Sequence, residues 1–243
     1  MQIGLFNLSR GFLLGFFFFL FATQSFANSS NPDLGEAKQI MRPVIERAWF
    51  AGQPEEKVFS AINQMEISFL PGNFCFKGQS ECLAFCRIQL PSGMKDGLLF
   101  LFKKVNGKWA DGRWFETGIL ESKPGNADND SLVDLIIQTE VPGSEDHQGM
   151  VKVVSLKGGR AKILYQASTW DKSKTDLKAV PVGQKVAGRV SLYLADTNQD
   201  GKNEIVEIIE SAFVVEKETD KTKTIQWSKQ KNIKSYNNHQ FQQ

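Results

Sequence analysis

The chain has 243 residues, with 29 basic and 27 acidic side chains and a formal net charge of +2 at neutral pH. A balance so close to neutral provides no electrostatic basis for binding nucleic acid or an acidic membrane surface. The length suits one large domain or two small ones, and it is sufficient to bury a hydrophobic core.

The first 27 residues have the pattern of a cleavable signal peptide. A single base, Arg10, precedes an apolar run from 12 to 22, and the small residues Ser25 and Ala27 suit a signal peptidase. That run, rising about 1.5 Å per residue, is too short to cross a hydrocarbon core of about 30 Å. We therefore expect residues 1–27 to be removed, and the mature protein to be periplasmic or extracellular without a membrane span.

The three cysteines of the chain, Cys75, Cys82 and Cys86, lie close together in the sequence. In an exported protein such a cluster favours a disulfide. The segment around Cys82 and Cys86 reads as a strand, in which residues four apart are about 13 Å from each other, too far for one bridge. We therefore expect Cys75 to pair with Cys82 or Cys86 across the turn at 77–80, with one thiol left over.

Residues 28–70 are predicted to form an N-terminal helical segment. From Leu34 to Phe50 the apolar residues recur at helical spacing. Pro54 followed by two acids is typical of the first turn of a second, shorter helix. A proline and a glycine end the helical pattern at the close of this segment.

From residue 71 to 228 the sequence predicts a β-rich domain. Asn106-Gly107 between apolar runs is the strongest short signal for a hairpin, and two further hairpins are predicted through Gly158-Gly159 and the charged turn at 218–221. Residues 229–243 are polar and basic, and we expect a largely disordered tail. The expected fold class is mainly β with a short N-terminal helical segment (α+β), built from antiparallel hairpins.

An acidic loop that begins at Asp196 carries a pattern typical of a cation site. Oxygen-bearing side chains occupy its first, third, fifth and ninth positions, namely Asp196, Asn198, Asp200 and Glu204. Gly201 permits a tight curl, and the carbonyl of Lys202 can supply a further ligand. Ligands that are all oxygen suit Ca²⁺ better than a transition metal. The sequence therefore predicts a calcium-binding loop.

An EF-hand is not expected at this loop, although Glu207 completes the formal spacing of EF-hand ligands. That motif needs helices on both sides, whereas residues 190–194 and 205–209 favour strands. The apolar residue usual after the seventh position is also missing, since Asn203 stands there.

A second loop lies seventy residues earlier and has oxygen-bearing side chains at the same positions. Its candidate ligands are Asn126, Asp128, Asp130 and Asp134. Ser131 stands where the later loop has Gly201, so the later loop has the more complete ligand pattern. Asp, Asn and Gly are also the ordinary residues of tight turns, where their side chains bond local backbone amides. A structural role without metal is therefore the alternative for both loops.

The two loops with the strands after them resemble the calcium loops of FG-GAP and VCBS-type repeats, the blades of integrin-like β-propellers. In that family the loop joins two strands of a blade and binds Ca²⁺ through its acidic positions. Here Asn126 replaces the leading Asp, and the Phe-Gly/Gly-Ala-Pro signature is absent. Because a propeller needs at least about four blades, two units predict a small sheet assembly or an open propeller-like fragment.

The sequence contains no nucleophile-elbow serine motif and no phosphate-binding glycine loop, and the spacing of its acids selects no catalytic pair. Trp109 and Trp114 are expected on opposite faces of one strand unless a bulge at Gly112 intervenes, where they pack in a core or stack on sugars. We expect an exported, non-catalytic protein acting in binding or assembly at the cell envelope, with a protein or carbohydrate partner. The alternative is a secreted hydrolase or carbohydrate-active protein.

Overall fold

The structure is a computed structural model that describes residues 31–140, 148–172, 176–219, 221–237 and 240–242. The predicted signal peptide lies outside the described residues. The elements are α1 Leu34–Trp49, α2 Glu55–Gln64, β1 Glu66–Gly72, β2 Glu81–Gln89, β3 Lys95–Val105, β4 Lys108–Thr117, β5 Ile119–Gly125, β6 Asp134–Glu140, β7 Gly149–Ser155, β8 Lys162–Asp171, β9 Lys185–Ala195, β10 Glu204–Glu216, β11 Lys223–Asn237 and β12 Gln240–Gln242.

Both predicted helices are present in the N-terminal segment. Asp33 caps α1, because its Oδ1 accepts a hydrogen bond from the amide of Glu36 at 2.8 Å. The helix continues through Pro43, and one side of it is buried, by Ala37, Met41, Val44 and Ile45. Helical structure ends at Gln64, and β1 begins at Glu66, so the helical segment is shorter than the predicted 28–70.

The strands follow one another as antiparallel neighbours in two sheets, which confirms a mainly β fold. The first sheet has the order β1-β2-β3-β4, and the second runs from β5 to β12 with each strand beside the next. The second sheet is curled into a half-barrel. Among the described residues, the ladder between β8 and β9 has two pairs, Trp170 with Gly188 and Asp171 with Ala187, and the earlier part of β8 is not paired with β9, so the sheet opens between these two strands.

Buried side chains divide the molecule into successive layers. Helices α1 and α2 cover one face of the first sheet, around Phe100 and Phe102. The opposite face of that sheet packs on β6 and β7, where Leu99 belongs to the same cluster as Leu135. The other side of β6 and β7 packs on β9 and β10, around Ile205. The order of layers is therefore helices, β1–β4, β5–β8 and then β9–β12.

The three predicted hairpins are confirmed as β3–β4, β7–β8 and β10–β11. In the first, Asn106 and Gly107 have φ values of 52° and 78°. Left-handed conformations at both central residues match the right-handed twist of the flanking strands, and Asn-Gly adopts them at low cost. This hairpin therefore follows from its local sequence.

The prediction of a disordered tail from residue 229 is wrong for residues 229–237. They form the second half of β11, which pairs with β10 as far as Lys234 and with β12 at residues 235–237. Lys229 Nζ lies 3.3 Å from Glu210 Oε1, and Lys234, only 8% exposed, lies 3.7 Å from Glu207 Oε2. The lysines are thus held by acids on the neighbouring strand, a pairing that the polar composition of the tail does not indicate.

The predicted disulfide is not present in this structure, in which all three cysteines are free thiols. Cys82 and Cys86 lie in the layer beneath the helices, whereas Cys75 packs on the opposite side of the sheet with Leu83 and Leu99. The sheet therefore separates Cys75 from both expected partners. Burial raises the pKa of each thiol to about 12, so the reactive thiolate is disfavoured.

We expect three free thiols per chain in protein purified without reductant, counted with a thiol-specific reagent after denaturation. In the folded protein the same reagent should react much more slowly, because all three sulfurs are buried. A count of one thiol per denatured chain would show that a disulfide forms and would contradict this arrangement.

Candidate calcium loops

The two predicted calcium loops occupy equivalent places in the fold. Residues 126–134, here termed the early loop, lead from β5 into β6, and residues 196–204, the late loop, lead from β9 into β10. Both loops are flanked by strands, as predicted, and not by the helices of an EF-hand. Glu207 lies away from the late loop, because its carboxylate accepts hydrogen bonds from Tyr165 and Asn232.

The backbones of the two loops share the same unusual conformations. At the fourth position Asn129 has a φ of 60° and Gln199 a φ of 63°. At the sixth position Ser131 has a φ of 73° and Gly201 a φ of 83°. Glycine adopts this left-handed conformation freely, whereas serine does so at a cost. The backbone of the early loop therefore makes the same tight turn as that of the late loop, although Ser131 stands where the late loop has glycine.

The acid at the ninth position closes each loop from within. Asp134 Oδ2 accepts hydrogen bonds from the amides of Ala127 at 2.7 Å and Asp128 at 3.3 Å. Glu204 Oε2 accepts from the amide and the hydroxyl of Thr197, both at 2.7 Å. The two acids are 0% and 3% exposed, so each holds the start of its loop against the first residue of the following strand.

In the late loop the candidate ligands bind the backbone of their own loop. Asp196 accepts from the amides of Asp200 at 3.1 Å and Gly201 at 2.8 Å, one through each carboxylate oxygen. Asn198 Oδ1 accepts from Asp200 at 3.0 Å, and Asp200 Oδ1 accepts from Lys202 at 2.9 Å. These bonds are the local turn pattern that is the alternative to metal binding.

The early loop has fewer such bonds and leaves oxygens unsatisfied. Asp128 Oδ1 accepts from the Asp130 amide at 3.3 Å, and Asp130 Oδ1 accepts from the Leu132 amide at 2.9 Å. Asn126 Oδ1 and Asp134 Oδ1 are buried, and the described residues make no hydrogen bond of ordinary geometry to either, although the Ser155 side chain interacts with the Asp134 carboxylate. Because a buried unsatisfied oxygen costs free energy, these two atoms mark where a cation would be stabilising.

Charge is also concentrated in the early loop. Burial raises the pKa of Asp134 to about 6, with the charge of Asp128 adding to the effect and the Ala127 amide and the Ser155 side chain opposing it. Burial and the neighbouring Asp130 raise the pKa of Asp128. The pKa of Asp130 is lowered in spite of its burial, because Lys157 Nζ lies 2.8 Å from its Oδ2. The Lys157 ammonium thus neutralises the carboxylate of Asp130. The charged forms of Asp128 and Asp134 remain unfavourable.

Within the described residues, no three His, Cys, Asp or Glu side chains converge as a ready metal site. The donors of the two loops include asparagine side chains and backbone carbonyls as well as carboxylates. Such an all-oxygen set suits Ca²⁺, whose coordination is large and flexible. The residues of the early loop fit the ion best, since Asn126 Oδ1 is buried with no partner in the described chain and the buried Asp134 carboxylate is only partly satisfied, its pKa being raised to about 6.

A third loop, from Asn73 to Glu81, has the same construction between β1 and β2. Glu81 Oε2 accepts from the amides of Phe74 and Cys75, both at 2.7 Å, and Gly78 at the sixth position has a φ of 80°. Its third and fifth positions are a cysteine and a lysine, so the loop lacks the candidate ligands. This loop was not predicted from the sequence, although Asn, Gly and Glu occupy its first, sixth and ninth positions.

The two tryptophans considered for sugar stacking are part of the cores. Trp109 is 9% exposed in the layer beneath the helices, and Trp114 packs on the opposite face of the sheet with Leu99. They lie on opposite faces of β4, although the pairing of β3 with β4 shifts register between Phe100 and Phe102, opposite residues 111–115, where the sequence allows for a bulge. Core packing therefore accounts for both side chains.

A cleft of about 280 Å³ opens where β8 and β9 separate. Two of its acids are ion-paired: Asp171 Oδ2 lies 2.5 Å from Arg189, and Glu210 Oε1 lies 3.3 Å from Lys229. Carboxylates held by basic side chains have a structural role in joining neighbouring strands. These two acids therefore do not form the pair of free carboxylates that a glycosidase uses.

No model of a known protein family, no curated protein and no solved structure matches the chain. In the part of the chain that the structure describes, no helix is long and apolar enough to cross a membrane. What the protein does must therefore be inferred from the chemistry of its own residues.

We expect Asp134→Asn to raise the Tm of the metal-free protein by about 2–4 °C at about pH 7.5, which corresponds to about 1 kcal/mol. The raised pKa of Asp134 means that its buried charge destabilises the folded state above about pH 6. The gain should shrink toward about pH 4.5, where the native carboxyl is protonated. Thermal unfolding in EDTA at both pH values tests this, and a lower Tm for the variant at the higher pH would contradict it.

Proposed function

We propose that the protein is an exported, non-catalytic β-rich protein whose loops bind calcium and that acts in binding or assembly at the cell envelope. The observation that carries the calcium proposal is the pair of buried oxygens in the early loop, Asn126 Oδ1 and Asp134 Oδ1, to which the described residues make no hydrogen bond of ordinary geometry, although the Ser155 side chain interacts with the Asp134 carboxylate. A hard cation would satisfy both oxygens and offset the repulsion between the neighbouring carboxylates.

The order of strands and layers supports a propeller-like arrangement of three units. The units are β1–β4, β5–β8 and β9–β12, and the first two strands of each are joined by a loop with a buried acid at its ninth position. Each unit packs on the next, and α1 and α2 cover the outer face of the first. We propose an open fragment of blade-like units related to FG-GAP and VCBS-type repeats, in which two of the three loops retain calcium ligands.

Export would expose these loops to a high concentration of calcium. Extracellular calcium modules work with dissociation constants of about 10⁻⁴–10⁻³ M, so sites with few acidic ligands fill where the ion is plentiful. The leader-like segment at 1–27 supports such a location. A near-neutral chain with calcium-stabilised loops fits a protein or carbohydrate partner at the cell surface better than nucleic acid.

We expect calcium at about 10 mM to raise the stability of the protein over EDTA by about 1.4–2.7 kcal/mol for each loop that fills, given dissociation constants of about 10⁻⁴–10⁻³ M. For a chain of this size that is a rise in Tm of about 3–10 °C. Thermal unfolding in calcium, in magnesium and in EDTA measures it. Identical midpoints in calcium and EDTA would overturn the proposal of calcium binding.

Three aspartate variants test whether the calcium-dependent rise in Tm comes from the two loops. Asp128→Asn in the early loop and Asp200→Asn in the late loop should each reduce the calcium-dependent rise in Tm. Asp111→Asn is the matched control, because Asp111 Oδ1 also accepts a local amide hydrogen bond, from Arg113 at 2.5 Å, but lies outside both loops. The control should retain the full rise. An equal loss in all three variants would show that the effect does not come from the loops.

A further inference from the structure

The early and late loops are in direct contact through one residue, Asn203. Its backbone amide donates to Asn129 Oδ1 at 3.0 Å, and its side-chain Nδ2 donates to the carbonyl of Asn126 at 3.0 Å. Both acceptors belong to the early loop, more than seventy residues away in the chain. Asn203 thereby explains the missing apolar residue after the seventh position of the late loop.

The same contact recurs one unit earlier in the fold. Val133, at the eighth position of the early loop, donates its backbone amide to the carbonyl of Asn73 at 2.8 Å. Asn73 and Asn126 are the first residues of their loops, and Val133 and Asn203 hold the eighth position of theirs. Each loop therefore docks on the first residue of the preceding loop. Only between the two candidate calcium loops is this contact to the first-position carbonyl made by a side chain.

Asn203 is placed among candidate ligands of both loops. In its own loop it lies between Lys202, whose carbonyl is a candidate ligand, and Glu204, whose carboxylate closes the loop. In the early loop it holds the backbone of Asn126, whose side-chain oxygen is buried without a partner in the described chain. If the ligands of one loop move when an ion binds, Asn203 therefore transmits that movement to the other loop.

We infer that the two loops take up calcium as one coupled pair and that Asn203 is the residue that couples them. This inference rests on the calcium binding proposed above. When either loop binds an ion, its ligands become fixed, and the Asn203 contacts fix part of the other loop in advance. The second ion then meets ligands that cost less to order, so each ion raises the affinity for the other.

The coupling is measured by calorimetric titration of the calcium-free whole protein with CaCl₂. The native protein should bind two ions per chain. Disabling one loop, by Asp128→Asn or by Asp200→Asn, should weaken binding at the remaining loop by about fivefold or more, the lower end of typical coupling between sites. The weakening should be equal in the two directions, because coupling of binding free energies is reciprocal.

The variant Asn203→Val isolates the coupling residue. It introduces the residue that the early loop carries at the same position, so the backbone contact to Asn129 is retained and only the side-chain bond to Asn126 is lost. In this background, disabling one loop should leave the affinity of the other unchanged. Asn203→Ala serves as a second variant if valine disturbs folding, which circular dichroism in EDTA detects. Asn63→Ala, an exposed position on α2, is the matched control.

The outcomes separate this inference from the proposed function. Two ions whose affinities do not depend on each other, or coupling that persists in both Asn203 variants, would overturn the inference and leave calcium binding in place. A single bound ion would overturn it in the same way. Absence of any binding to the native protein would overturn the proposed calcium binding itself, and the inference with it.

Discussion

The interaction on which the structure depends most is a buried carboxylate that accepts backbone amides at the entrance to a strand. Glu81, Asp134 and Glu204 each form it, and each is almost fully buried. A charge removed from water needs hydrogen-bond donors nearby, and here the amide at the second position of the preceding loop is one of them, although for Asp134 burial still outweighs the donors and raises its pKa. The loop is thereby closed at a constant length, and the strands on either side are held in register at their ends.

The three loops closed in this way differ at their third and fifth positions, which carry candidate ligands only in the early and late loops. With Cys75 and a lysine there, the first loop is a purely structural turn. With aspartate or asparagine there, the early and late loops become candidate cation sites. The early loop is buried further by the layers around it, so its oxygens lose water without gaining enough amides. A cation at the early loop would therefore be stabilising because the packed layers bury its oxygens, and not only because the loop contains acidic residues.

The layered packing also places the loops beside one another. Because each unit of strands packs on the next, the loop of one unit lies against the loop of the preceding unit, as the contacts of Val133 and Asn203 show. The helices cover the face of the first sheet that has no preceding unit. The two candidate sites are therefore joined by direct hydrogen bonds, those of Asn203 to Asn129 and Asn126.

The sequence by itself determined the features that depend on near neighbours: the helices, the Asn106-Gly107 hairpin, the strands around the acidic loops, and the repeat between those loops. These follow from local periodicity and turn chemistry, which a single sequence displays. Only the tertiary structure decided that the tail pairs as a strand, that Cys75 faces away from the other cysteines, which loop oxygens lack partners, and that Asn203 reaches Asn126. Each of these depends on which distant segments pack together, and residue spacing along the chain carries no measure of that.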